Sequence, residues 1–155
     1  MAALVDTNVL VYRFDHRFPS KQRIADELLR WGIENREVYL PHQAIVEFVA
    51  AVGRPRENGR PLLSPAEAVR EAEEMLDQFE ILWPSEEIVR IALRGATAYQ
   101  MSWWDAHLWA YAEFHGLPEL LSEDFESGRL YGTVRVVDPF QAPSEVHEPK
   151  ARYHL

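Results

Sequence analysis

Short apolar runs alternate with longer segments in which apolar residues recur about once per turn. The runs at 2–5, 38–40, 79–82, 120–121 and 135–137 have the length and composition of buried strands. Between them lie amphipathic stretches. Thr7-Asn8 opens a helix carrying Val9, Leu10, Tyr12 and Phe14, and residues 20–34 place Ile24, Leu28 and Trp31 about one turn apart. Pro41 precedes a markedly apolar helix over 42–52, which Gly53 ends. Ser64-Pro65-Ala66-Glu67 is a capping box that opens a helix to about Gln78. Ser85 and Ser102 begin two more, the second running to His115 before Gly116-Leu117-Pro118 stops it. Strands alternating with helices predict an α/β fold with a parallel sheet and helices on both faces. Ligands of such sheets bind at the carboxyl ends of the strands.

Composition narrows the class. The chain has 155 residues, 47% hydrophobic and 26% charged, enough apolar material for one packed domain and too much for bulk disorder. It contains no cysteine, which excludes a disulfide framework, a thiol nucleophile and a cysteine metal site, and is compatible with a reducing cytoplasm. The N-terminus lacks the basic and apolar regions of a signal peptide, and no apolar run approaches the ~20 residues of a membrane span. Pro143 and Pro149 punctuate a polar C-terminal stretch, so the organisation reads as a domain over 1–140 and an extended or loosely packed tail over 141–155. With 16 basic and 25 acidic residues the net charge is −9, which argues against a uniformly basic surface and asks where the acids cluster.

Four acids stand out. Asp6 directly follows the first strand, and Asp is also a preferred helix cap. Glu47 sits within the apolar stretch 44–52, where a charge is costly unless paired, solvated on a narrow stripe or bound to a metal. Asp105 is the fourth residue of Ser-x-x-Asp and suits a capping box. Asp124 follows the 120–121 strand, with Glu123 and Glu126 competing for any role there. Four carboxylates in one crevice would repel one another, each close pair by several kcal/mol at an effective dielectric of about 20. A divalent cation resolves that repulsion, and oxygen-only ligation points to Mg²⁺ or Mn²⁺.

At these residues the chain resembles the PIN domain, and within that superfamily it is similar to the VapC toxins of bacterial type II toxin–antitoxin modules. The resemblance rests on Asp6-Thr7-Asn8 after the leading strand, a lone Glu47 in an apolar helix, 102–106 (Ser-Trp-Trp-Asp-Ala) opening a helix, and 122–125 (Ser-Glu-Asp-Phe). Residues 128–140 look like the family's closing strand. The resemblance implies a three-layer α/β/α sandwich with a mainly parallel sheet and a metal-dependent endoribonuclease activity. It implies that Asp6, Glu47, Asp105 and Asp124 hold Mg²⁺ or Mn²⁺, that Thr7 and Asn8 brace them, and that Ser122 orients a water or the Asp6 carboxylate. It further implies a homodimer neutralised by a VapB-like antitoxin that occupies the acidic cleft with an Arg. The tail beyond 140 departs from the family's pattern.

An RNA substrate needs cations. Arg outnumbers Lys 14 to 2, and its planar fork suits phosphate. Arg13, Arg17, Lys21 and Arg23 lie near the first acid, and Arg54, Arg56 and Arg60 lie in the loop 54–63; each also reads as ordinary solvated surface. His42, His107 and His115 read as surface or half-buried groups. The five tryptophans read as core or interface, with Trp104 able to stack on a base. Two rivals remain: a non-catalytic PIN-like interaction module, and an Asp-dependent phosphatase. The phosphatase wants a second Asp two residues after the first, where this chain has Asn8.

Overall fold

The computed structural model describes residues 1–141 together with Lys150, Ala151 and Tyr153. Its elements run β1 (Ala3–Val5), α1 (Thr7–Tyr12), α2 (Pro19–Asn35), β2 (Val38–Pro41), α3 (His42–Gly53), α4 (Pro65–Gln78), β3 (Glu80–Leu82), α5 (Glu86–Tyr99), α6 (Trp103–His115), β4 (Glu119–Leu121), β5 (Leu130–Tyr131) and β6 (Val134–Val137). Side-chain caps set most of the helix starts. Asp6 accepts from the Thr7 amide, Ser85 from Ile88, and Ser102 from Asp105, while Ser64 and Glu67 make both bonds of a capping box. Gly116, at φ 67, takes the left-handed turn that ends α6.

The six strands form one sheet in the order β3-β2-β1-β4-β6-β5. All pairs are parallel except β5 with β6. The chain therefore builds outward from β1 to β2 and β3, then returns to lay β4 against the other side of β1. That reversal between β1 and β4 is the switch point where open α/β sheets bind ligands. In register, Leu4 faces Tyr39 on one side and Leu120 on the other.

Successive residues of β1 serve opposite faces, as the two-residue strand period requires. Val5 joins Leu10, Leu29, Phe48 and Met75 under α1–α4. Leu4 joins Ile88, Trp109, Tyr111, Leu120 and Val136 under α5 and α6. The result is the three-layer α/β/α architecture with a mainly parallel sheet.

Two details depart from the sequence expectation. Residues 128–140 hold a short antiparallel hairpin, β5 to β6, with Gly132 at φ 59 in its turn, in place of one closing strand. The tail expectation falls mostly on residues 142–149, 152, 154 and 155, outside the described residues. Ala151 and Tyr153, however, pack against the α1–α4 core. Among the described residues no helix is long and apolar enough to cross a membrane.

Candidate active site

The switch point brings the first and last of the four acids together. Asp6 leaves β1 as the cap of α1, so its cap role and its place in the cleft coexist. Its Oδ1 accepts from the Thr7 amide and its Oδ2 from the Ser122 hydroxyl, each at 2.6 Å. Ser122, fully buried just after β4, also accepts from the Asp124 amide at 3.1 Å. The Asn8 amide lies between the two carboxylates: Nδ2 is 3.1 Å from Asp124 Oδ2 and 3.4 Å from Asp6 Oδ2. Asn8 Oδ1 is buried without a partner among the described residues. Thr7, Asn8 and Ser122 thus hold the acids in place.

Glu47 is half-buried on α3, and its charge is met by donors instead of a basic residue. Thr7 Oγ1 donates to Oε2 at 2.6 Å, and Gln43 Nε2 donates to Oε1 at 3.0 Å. Gln43 Oε1 in turn bonds His107 Nδ1 on α6, and Gln43 Nε2 also approaches the Trp104 carbonyl at 3.3 Å. Neither Gln43 nor His107 stands out for this from sequence. The available signal is spacing: Gln43 precedes Glu47 by four residues, one turn along the same helix face. Burial holds the His107 ring below its usual pKa, against the pull of Glu47.

Asp105 stands in the first turn of α6, where Ser102 Oγ accepts from its amide at 3.2 Å. Its carboxyl lines the same cleft as Asp6, Glu47 and Asp124, a space of about 380 Å³ that Trp104, Ala151 and Tyr153 also border. Burial pushes Asp6 up to about 8; the Ser122 hydroxyl opposes this, and the Asp124 and Glu47 charges add to it. Asp105 is likewise raised by burial, with Asp124 and Glu47 contributing against its bond to Ser102. The four acids therefore share one cleft and feel one another's charge. They do not form a ready-made cage: among the described residues no three His, Asp or Glu side chains are grouped closely enough to hold a metal ion. Neutral donors hold Asp6, Glu47 and Asp124 where they stand. The donor set is hard oxygen throughout and suits Mg²⁺ or Mn²⁺. A carboxyl kept protonated by burial and by anionic neighbours fits a position that a cation would relieve.

The neighbouring acids have other employment. Glu123 is buried and paired with Lys21 at 3.0 Å, and the Tyr12 hydroxyl donates to its other oxygen. Glu126 is exposed and reaches Arg129 at 3.4 Å. No arginine borders the acidic cleft among the described residues. Arg13 pairs with Asp26, Arg17 with Asp15, and Lys21, being buried, offers no surface charge. Arg54 and Arg60 are exposed, and Arg56 is half-buried with Nη2 donating to the Ala51 carbonyl at 3.2 Å. Of the tryptophans only Trp109 is buried; Trp104, 63% exposed, stands at the cleft.

The PIN domain family model matches residues 3–132. No curated protein matches the sequence. Solved structures do. A chain of a toxin–antitoxin complex from Klebsiella pneumoniae superposes with a TM-score of 0.65 at 20% identity, covering 91% of this chain and 100% of that one. A chain of DNA-bound VapBC from Salmonella typhimurium gives 0.65 at 11% identity, covering 90% and 98%. VapC20 from Mycobacterium tuberculosis, described as a sarcin–ricin loop cleaving toxin, gives 0.58 at 16% identity, covering 79% and 90%. At such identities the likeness is one of fold, while the family match spans most of the sequence. The chain belongs to the PIN domain family.

Proposed function

We propose that this protein is a Mg²⁺- or Mn²⁺-dependent endoribonuclease of the VapC toxin kind. The observation that carries the reading is the shared cleft at the β1/β4 switch point, lined by Asp6, Glu47, Asp105 and Asp124 from four separate segments of the chain. These four acids would hold the cation, which supplies Lewis acidity and charge neutralisation at a phosphodiester. The chain's own residues prepare the site. Ser122 and the Thr7 amide fix both oxygens of Asp6, the Thr7 hydroxyl and Gln43 fix Glu47, and Asn8 spans Asp6 and Asp124. Burial favours the protonated form of Asp6 near neutral pH, and a bound cation would favour its anion.

Structures described as toxin–antitoxin complexes share this fold, and they support an antitoxin as partner. The acidic cleft suits a basic side chain from such an inhibitor. A homodimer is the expected assembly; light scattering that finds only an ~18 kDa species at micromolar concentration would exclude it. An RNA substrate would put the enzyme in the cytoplasm, with which a cysteine-free chain is compatible.

The deciding experiment is cleavage of structured RNA with Mg²⁺ or Mn²⁺. Cutting should vanish with EDTA and fall by several orders of magnitude in Asp6→Asn. Equal cutting by wild type and Asp6→Asn would overturn the reading and leave the interaction-module alternative.

A further inference from the structure

The acidic cleft lacks a bordering arginine, yet a pocket rich in them lies one aromatic ring away. Arg17, Arg56 and Arg60 line a second space of about 380 Å³, together with Asp15 and Glu57. Three guanidinium groups against two carboxylates leave positive charge in excess. Asp15 is fully buried and already claimed, accepting from Arg17 Nε at 2.9 Å and Nη2 at 2.7 Å. Arg56 has no carboxylate ion pair among the described residues; its Nη2 donates to the Ala51 carbonyl. Its Nε is buried and finds no hydrogen-bond partner among the described residues. Burial and then the Arg17 charge disfavour its protonated form, with the Asp15 charge opposing them. An unmet donor on a guanidinium is costly, so this side chain is not held there by its own hydrogen bonding at Nε.

Tyr153 is the shared wall. It lines the acidic cleft with Ala151, and it also lines an adjoining, largely apolar space of about 670 Å³ with His42 and Trp104. On its other flank the Arg56 guanidinium carbon sits 5.3 Å from the centre of its ring. The ring is held in place. Its hydroxyl reaches Asp15 Oδ2 at 3.3 Å, and Tyr12 packs against it edge-on with centres 5.3 Å apart. Two residues back, the Ala151 amide donates to the Tyr12 hydroxyl at 2.8 Å, and Lys150 Nζ donates to the Glu123 carbonyl. These hydrogen bonds and ring packings fasten residues 150, 151 and 153 between the site and the arginine pocket.

Resting on the nuclease reading above, we propose that Tyr153 joins the acidic cleft to the Arg56/Arg60 pocket as one RNA-binding track. The ring stacks on a base of the strand whose phosphate lies in the cleft. Arg56 and Arg60 hold a second backbone phosphate further along. Stacking tolerates any base, because every base presents a π-face, so this subsite would favour unpaired RNA without naming a sequence. The aromatic Trp104 across the cleft belongs to the same track.

The test is equilibrium binding of a labelled single-stranded RNA, read by fluorescence anisotropy with Ca²⁺ in place of Mg²⁺ or Mn²⁺, a denaturing gel confirming that the RNA stays intact. Tyr153→Ala should weaken binding roughly tenfold or more, and Tyr153→Phe should recover most of that loss. Arg56→Ala with Arg60→Ala should weaken binding and flatten the salt dependence by about 0.7 in log–log slope for each phosphate no longer neutralised. Millimolar inorganic phosphate should displace RNA from the wild type more readily than from the arginine variant. Thermal melts matching wild type confirm that each variant is folded. Wild-type affinity in Tyr153→Ala, or tighter binding, overturns the proposal; tighter binding would mean that the C-terminal residues block the cleft. An unchanged salt slope in the arginine variant also overturns it. Inorganic phosphate binding without RNA binding would reassign the pocket to a small anion. Failure of the wild type to bind any RNA strikes the nuclease reading itself, and is thereby distinguishable.

Discussion

Asp6 carries two jobs that pull in opposite directions. As the cap of α1 it favours the anion, which the Thr7 amide and the Ser122 hydroxyl both stabilise. As a buried member of an acidic cleft it favours the proton, and burial wins, raising it to about 8. The folded chain thus holds this proton more tightly than the unfolded one does. The stability so gained is complete below the ordinary carboxyl value of 3.8 and is lost as pH rises through about 8. A cation competes with the same proton, so its apparent affinity should fall up to about tenfold per pH unit below 8. The melting temperature should therefore rise more on adding Mn²⁺ at pH 8.5 than at pH 5.5, and Asp6→Asn should abolish the difference. An equal rise at both pH values would exclude Asp6 as the linked group. At this scale the acids were legible in the sequence because each is anomalous where it stands: after a strand, inside an apolar helix, or in a first turn. Their neutral partners were not. Gln43 is an unremarkable residue until α3 and α6 pack and bring His107 against it. Likewise only the path of the loop after β4 decides that Asp124 borders the cleft while Glu123 turns inward to Lys21.

Among the elements, the strands are only two to four residues long, yet β1 to β4 and β6 are legible, because most of their side chains are apolar and face a packed layer, Glu80 and Arg135 being the exposed exceptions. β5 is not legible in the sequence, since it has two residues, one of them exposed Leu130, and depends on its pairing with β6. The closeness of α5 and α6 was equally hidden. Gly95 lets them approach: a Cβ there would sit 2.2 Å from Trp109 Cζ3. The Trp109 ring has little freedom to retreat, because its Nε1 donates to the Tyr131 carbonyl at 3.0 Å and Tyr99 packs edge-on against it. Gly95→Ala would gain about 1 kcal/mol in helix propensity. Overpacking of this kind costs about 1–3 kcal/mol or more and should win. A urea midpoint lower than wild type is the expected outcome; a raised midpoint would show that the helices separate at no cost.

Across the whole molecule one buried network links segments that are distant in sequence. Lys21 of α2 meets Glu123 after β4 at 3.0 Å, Tyr12 of α1 donates to the same carboxylate, and the Lys21 ammonium lies 5.0 Å from the Tyr12 ring centre. Residues 150 and 151 attach to the same group through the Glu123 carbonyl and the Tyr12 hydroxyl. The net charge of −9 is thus partly deceptive: some acids face the cleft, while Glu123 is neutralised inside the fold. A buried ion pair adds little net stability over apolar residues of like volume, but removing one member leaves the other uncompensated. Lys21→Met should therefore cost about 3–5 kcal/mol, and Lys21→Met with Glu123→Leu should recover much of that loss. Chemical denaturation of the two single variants and the double closes the cycle. If the double variant were as unstable as the sum of the singles, the pair would be uncoupled and the network would not be what ties β4 to α2. If the coupling is large, the loop carrying Ser122 and Asp124 owes its placement to charges that face away from the cleft, and Lys21→Met should also weaken Mn²⁺ binding although Lys21 touches none of the four acids.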